Sequence, residues 1–88
     1  MGRLIRQASV DQALTDQGYE HSEFEDGDWD PGIRVVQAGR RAVHVFWDGP
    51  GEADQLAAIT RHLREAGYHV HASQQPGGGR RRLEVTRP

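Results

Sequence analysis

The chain contains no cysteine, no lysine and no long hydrophobic run. Without cysteine, a disulfide framework, a thiolate metal site and a cysteine nucleophile are all excluded. Its apolar runs are far shorter than the ~20 residues that a membrane-spanning helix needs. The mixed residues that follow Met1 are unlike a signal peptide, which has an apolar segment there. We therefore expect a soluble, cytoplasmic protein that does not bind a membrane.

The chain also has fewer basic residues than acidic ones. Eleven basic residues, all of them arginine, are set against thirteen acidic ones, which gives a formal net charge of −2. A strongly basic nucleic-acid-binding protein is therefore not the first interpretation. A chain of 88 residues has room for one domain with a modest core. We expect a single domain over residues 1–88, with flexible residues 1–7 and an acidic loop at residues 25–32.

Sequence signals predict two helices. A capping box at Ser9–Gln12 predicts a first helix over residues 10–17. Apolar residues at helical spacing predict a second helix over residues 52–66. A Gly-Tyr pair follows each helix, at residues 18–19 and 67–68. Either the chain contains a duplicated helix–hairpin unit, or both helices end in the same left-handed glycine cap; we favour the shared cap.

Most of the remaining chain has the composition of strands. β-Branched and aromatic residues predict strands at residues 19–25, 33–37, 42–47, 68–73 and 80–86. The strand–helix–strand segment from residue 42 to residue 73 predicts a right-handed crossover between parallel strands. We therefore expect an α+β fold in the order α-β-β-β-α-β-β. In this two-layer sandwich, two helices pack on one face of a four- or five-stranded mixed sheet.

An acidic segment is the first candidate functional feature. Between Glu20 and Asp30, six of eleven residues are Asp or Glu and none is Arg. An aromatic residue in such a run is typical of an interface anchor, and the acids would steer a basic partner towards it. We expect a protein with a basic surface to contact Glu25, Asp26, Asp28, Trp29 and Asp30. A solvated loop without a partner, or an aromatic ring folded back on its own domain, are the alternatives.

The same segment contains part of a calcium-binding pattern. Asp26, Asp28 and Asp30 have the spacing of the first, third and fifth positions of an EF-hand loop. The sixth and twelfth positions, however, are Pro31 and Gln37 instead of Gly and Glu. We therefore expect no metal and no cofactor here.

One face of the predicted sheet is the second candidate surface. Strand alternation places on the face away from the core the residues Arg34, Val36, His44, Phe46, His69, His71, Arg82 and Glu84. An aromatic ring among cationic neighbours is typical of surfaces on which single-stranded nucleic acid stacks. Nucleic-acid binding by Arg34, His44, Phe46, His69, His71 and Arg82 is therefore an alternative function. The histidines of this face lack a third zinc ligand of fixed spacing, so metal binding is a weaker alternative.

The sequence contains no pattern that indicates catalysis. Ser9, Ser22 and Ser73 lack the context of a nucleophile elbow, and no buried pair of carboxylates is evident. The glycines and arginines at residues 77–82 do not form a phosphate-binding loop. We therefore expect a small non-catalytic protein-interaction domain, an accessory or inhibitor protein, that acts through its acidic loop.

Overall fold

The computed structural model describes residues 3–25 and 27–88, and for Phe24, Glu25 and Trp29 it describes the backbone only. The elements are α1 Gln7–Thr15, β1 Glu23–Glu25, β2 Asp28–Asp30, β3 Gly32–Gln37, β4 Val43–Asp48, α2 Glu52–Glu65, β5 His69–Gln74 and β6 Arg81–Thr86. The two helices and the four-stranded sheet in these ranges confirm the predicted α+β class. Neither helix is long and apolar enough to cross a bilayer.

The main sheet has the strand order β3-β4-β6-β5, and every neighbouring pair is antiparallel. The prediction of a mixed sheet was therefore wrong in this detail. The strands that α2 connects, β4 and β5, do run in the same direction, but β6 lies between them and pairs with both. β1 and β2 form a separate two-stranded sheet.

Both helices cover the same face of the main sheet. α1 contacts β3, and α2 contacts β4, β5 and β6. The buried cluster includes, from β4, α2, β5 and β6 and the residue before β5, Val43, Val45, Leu56, Ile59, Leu63, Tyr68, Val70, Leu83 and Val85. Trp47 is partly buried and packs against this cluster. Ile5, Val10, Leu14, Ile33 and Val35 complete it.

The first helix begins earlier than its capping box predicts. α1 starts at Gln7, so that Ser9 lies inside it, and no side chain of the preceding residue caps it. Instead, the side chain of Gln37 accepts a hydrogen bond from the Gln7 N–H at 2.7 Å and donates to the Ile5 carbonyl at 2.9 Å. Ile5 is only 2% exposed. Of the predicted flexible segment, residues 1–7, the structure describes residues 3–7, in which Ile5 is buried and Gln7 begins α1. The flexibility of this segment stays a prediction.

Both helices end in the same hydrogen-bonded cap. Gly18 and Gly67 have φ values of 93° and 96°, in the left-handed region. The N–H of Tyr19 donates to the Leu14 carbonyl at 3.2 Å, and the N–H of Tyr68 donates to the carbonyl of Leu63 at 3.0 Å. These are the long bonds of a Schellman motif. Shared capping therefore explains the Gly-Tyr repeat without a duplication.

Candidate functional site

The acidic segment is a β-hairpin, whereas the sequence predicted an irregular loop at residues 25–32. Its register pairs are Glu23 with Asp30, Phe24 with Trp29, and Glu25 with Asp28. We call β1 and β2 together the acidic hairpin. The described acidic side chains of the hairpin, those of Glu23, Asp28 and Asp30, are exposed.

Of the five residues predicted to contact a partner, the structure describes the side chains of only two, Asp28 and Asp30. Asp26 lies outside the described residues, as do the side chains of Glu25 and Trp29. The expectation that Trp29 contacts a partner therefore stays a prediction, and whether its side chain is exposed or buried stays open.

The hairpin places like charges opposite each other. Glu23 and Asp30 are direct cross-strand partners, and their exposed carboxylates repel one another. Such pairs destabilise a sheet by some tenths of a kcal/mol, up to about 1 kcal/mol. A lone two-stranded hairpin is itself only marginally stable in water. The acidic hairpin therefore depends on its attachment to the rest of the domain.

One attachment is a short strand-like pairing at the base of the hairpin. Ser22 donates its N–H to the Ile33 carbonyl at 2.9 Å, and Ile33 donates its N–H to the Glu20 carbonyl at 2.8 Å. These bonds make an isolated parallel bridge between His21 and Ile33. Gly32 allows this approach, since an added Cβ would lie 2.6 Å from backbone atoms of His21 and Ser22.

The second attachment is the carboxylate of Asp48, which is 9% exposed. Its Oδ2 accepts hydrogen bonds from the Ser22 hydroxyl at 2.8 Å and from Arg34 Nε at 3.0 Å. Its Oδ1 lies 3.1 Å from Nη1 of Arg80, and Nη2 of Arg80 also donates to Glu52 at 3.1 Å. Asp48 therefore ties the base of the hairpin to β3, β4 and the start of β6.

The charge state of Asp48 follows from these contacts. Burial alone would raise the pKa of Asp48, but hydrogen bonds from Arg34 and Ser22, together with the charges around it, lower that pKa below its usual value. The carboxylate is thus ionised and fully engaged. Asp48 was not predicted as a site residue, because Asp48 followed by Gly49 is typical of a strand end and its partners are distant in sequence.

The open face of the sheet is less accessible than predicted. Phe46 is only 3% exposed, and the guanidinium carbon of Arg34 lies 4.2 Å from the centroid of its ring. A base could not stack on this ring without first displacing Arg34. Burial, assisted by the charge of Arg82 and partly opposed by Glu84, lowers the pKa of His44 below its ordinary value.

The other residues of the predicted nucleic-acid surface lie near one sheet edge. His69 and His71 are exposed on β5, and Nε of Arg82 donates to the Ser73 hydroxyl at 3.1 Å. His71 on β5 and His44 on β4 are both direct cross-strand partners of Glu84 on β6, one on each side of it. Even so, no three His, Asp or Glu side chains among residues 3–25 and 27–88 are grouped closely enough to hold a metal ion.

A groove that was not predicted from the sequence lies between α2 and the end of the β5–β6 hairpin. Its volume is about 560 Å³, and it is lined by Ala53, Leu56, Ala57, Thr60, Ala72, Ser73, Gln74, Arg81, Arg82 and Leu83. The small residues Ala53 and Ala57, four apart on α2, were a usable signal, because they leave space beside the apolar stripe of the helix.

Comparisons with known proteins identify no relative of this chain. No protein-family model matches it, and no curated protein or solved structure is significantly similar to it.

Proposed function

We propose that this chain is a small non-catalytic protein-interaction domain, an accessory or inhibitor protein, whose acidic hairpin binds a basic surface of a partner protein. The observation that carries the proposal is the position of Glu23 opposite Asp30 on a hairpin with an anchored base. The two carboxylates repel each other in the free protein. An arginine or lysine of a partner placed beside them would relieve that repulsion and would also speed the encounter.

The anchored base supports the proposal in a second way. Ser22 is held by the Asp48 carboxylate and by the backbone of Ile33, and His21 contacts Asp11 of α1. These contacts fix where the hairpin leaves the domain before a partner arrives. Binding by a preorganised element costs less ordering entropy than binding by a free loop.

We include Trp29 and at least two of Glu25, Asp26, Asp28 and Asp30 in the proposed contact. A tryptophan can bury 150–250 Å² at an interface, about the largest area of any side chain. The competing hypothesis is that Trp29 is structural and covers part of its own domain. The two differ in one variant: Trp29→Ala abolishes partner binding and leaves the melting temperature unchanged in the first case, and it destabilises the domain in the second.

The alternative functions have less support. Nucleic-acid stacking on the open sheet face needs a free aromatic ring, and Phe46 is buried under Arg34. Metal binding needs a grouped set of ligands, and the described part of the chain has none.

The test is affinity capture with the immobilised full chain, with neutralised variants as controls. The hairpin variant Glu23→Gln/Asp28→Asn/Asp30→Asn removes three exposed charges from the acidic hairpin. A matched control, Asp16→Asn/Asp54→Asn/Glu65→Gln, removes three exposed charges, one at the C-cap of α1 and two within α2. Both variants change the net charge equally, so a difference between them reports on the position of the charges.

We expect one or a few basic proteins to be retained by the wild type and by the control, and to be lost by the hairpin variant. For the purified partner, the association rate constant should fall at least tenfold in the hairpin variant and fall steeply with added salt. Equal binding by the hairpin variant and the control would contradict the proposal.

A further inference from the structure

One edge of the main sheet, β5, has main-chain groups that no neighbouring strand uses. β5 is the last strand in the order β3-β4-β6-β5. The N–H of Gln75 donates to the Arg80 carbonyl at 3.0 Å, which fixes the alternation of hydrogen-bonded pairs along the β5–β6 ladder. Residues 69, 71 and 73 therefore bond to β6, while Val70, Ala72 and Gln74 direct their N–H and C=O groups outward.

The domain itself covers only the first part of this edge. Nη2 of Arg64, at the end of α2, donates to the outward carbonyl of Val70 at 3.0 Å. This bond confirms the outward direction deduced for the even-numbered residues. In the described chain, Ala72 and Gln74 are exposed, and no such bond covers their outward groups. The open half of the edge is therefore a template for another strand.

The groove lies directly beside that open half. Ala72 forms part of its wall, and Leu56, Ala57 and Leu83 supply apolar surface. A strand added to β5 would point alternate side chains to the two faces of the sheet, since side chains in a strand alternate. One set of its side chains would therefore enter the groove between β5 and α2. This combination of a free edge with a side-chain groove is the arrangement used in peptide recognition by strand addition.

The charge of the groove selects the kind of strand. Arg81 and Arg82 line it, and among the described residues no carboxylate does. β5 itself, residues His69–Gln74, contains no acidic residue, so a second copy paired through β5 would offer these arginines no complementary charge. An acidic segment of a different protein has the complementary charge.

We propose that β5 binds an extended peptide segment of a partner protein as a fifth strand, with an apolar side chain in the groove and an acidic side chain against Arg81. This site is separate from the acidic hairpin, and it takes a ligand of opposite charge. The domain would thus hold two partner segments, one basic and one acidic, on different surfaces.

The test begins with a phage-displayed library of random ten-residue peptides panned on the full chain. We expect the enriched peptides to carry an Asp or Glu two residues from an apolar residue. Binding of the synthetic, fluorescein-labelled peptide is then measured by anisotropy. Binding should shift the NMR amide signals of Ala72 and Gln74 more than those of β3.

Three variants address the three parts of the proposal. Ala57→Phe fills the groove from an exposed helix position without altering β5. Ala72→Pro removes an outward N–H that the β6 ladder does not use. Arg81→Glu reverses the charge. Each should weaken peptide binding at least tenfold, and a peptide with Lys in place of its acid should recover affinity for Arg81→Glu. The control Arg40→Glu, at an exposed turn position, should bind like the wild type.

Melting temperatures show that each variant is folded before its affinity is interpreted. The proposal is overturned if no peptide is enriched, or if Ala57→Phe and Ala72→Pro bind the enriched peptide as the wild type does. It is also overturned if sedimentation shows a dimer of the wild type that Ala57→Phe dissociates, because a second copy would then be the occupant of the edge.

Discussion

The guanidinium carbon of Arg34 lies 4.2 Å from the centroid of the Phe46 ring. The same side chain donates from Nε to the Asp48 carboxylate at 3.0 Å. Arg34 thus covers an aromatic ring on the open sheet face and balances the buried charge that holds the base of the acidic hairpin. A planar guanidinium can do both at once, because it stacks through its face and donates through its edge.

Replacement of Arg34 by lysine should therefore destabilise the domain although the charge is kept. An ammonium group cannot stack on Phe46 and donate along the carboxylate in the same geometry. We expect Arg34→Lys to lower the free energy of unfolding by about 1–2 kcal/mol, from the cation–π contact and the charged hydrogen bond. Urea denaturation measures this. Arg40→Lys, at an exposed turn position, should change it by less than about 0.5 kcal/mol; equal effects of the two substitutions would count against the role given to Arg34.

His44 should make the domain less stable in mild acid. Burial, with help from the charge of Arg82 and against the charge of Glu84, lowers the pKa of His44. The unfolded chain therefore takes up this proton at a higher pH than the folded chain does. Stability is lost as the pH falls through the unfolded value of about 6.5 towards the lower folded value.

The measurement compares urea denaturation at about pH 7.5 and about pH 5.5. His44→Gln removes the titrating group, so the variant should lose less stability than the wild type over this interval. If both proteins lose the same amount, His44 does not contribute to the acid sensitivity.

Protonation of Asp48 should also destabilise the domain, at a lower pH than protonation of His44 does. The pKa of Asp48 is lowered from the ordinary value of 3.8, so its contribution to stability is complete above that value and is lost as the pH falls below it. At neutral pH, Asp48→Asn should lower the free energy of unfolding by about 1.5–3 kcal/mol, the worth of a charged hydrogen bond. The difference between the two proteins should shrink as the pH falls from about 5 to about 2. A difference that stays constant over this range would mean that the charge of Asp48 is not what stabilises the fold.

The parts of the fold that sequence patterns predict are those that depend on neighbouring residues. The stripe that includes Leu56, Ile59 and Leu63 predicted α2, since helical spacing brings these side chains to one face. Gly18 and Gly67, which end the two helices, were also identified, because a helix cap depends on residues close in sequence. The strand order was not predictable in this way, because the insertion of β6 between β4 and β5 depends on contacts far apart in sequence.

In the candidate site, too, only the features that depend on neighbouring residues were predictable. The acidic composition around Asp30 was apparent from the sequence, but its hairpin register was not. The start of α1 depends on Gln37, whose side chain accepts a hydrogen bond from the N–H of Gln7, thirty residues earlier in the chain. Asp48 acquires its role only when Ser22 and Arg34 are brought to it by folding. Local signals thus identified the charged segment, and tertiary contacts determined how it is attached.

The central core position should be sensitive to truncation. Leu63 is 0% exposed, within the cluster that joins both helices to the sheet. Leu63→Ala should lower the free energy of unfolding by about 2–5 kcal/mol, because it removes buried methyl groups and leaves a cavity. Leu4 is 65% exposed, so Leu4→Ala is a control of identical chemistry and should change the melting temperature little. A Leu63→Ala protein that melts within a degree or two of the wild type would show that the core is wrongly assigned.

Gly32 should be required for the attachment of the acidic hairpin. A Cβ added there would lie 2.6 Å from the backbone carbon of His21 and the backbone nitrogen of Ser22. Gly32→Ala must therefore separate the hairpin base from β3, and we expect a loss of about 1–3 kcal/mol from this overpacking. Hydrogen exchange should accelerate at the amides of Ser22 and Ile33, whose bonds cross this contact.

Gly39→Ala separates this steric effect from backbone strain. Gly39 has a φ of 113°, and an added Cβ there would meet nothing within 4 Å. This variant should also lose about 1–2 kcal/mol, because a side chain is strained at positive φ. In Gly39→Ala, however, hydrogen exchange should not accelerate preferentially at the amides of Ser22 and Ile33. If Gly32→Ala accelerates exchange at these two amides no more than Gly39→Ala does, close contact with the hairpin base is not the reason for glycine at position 32.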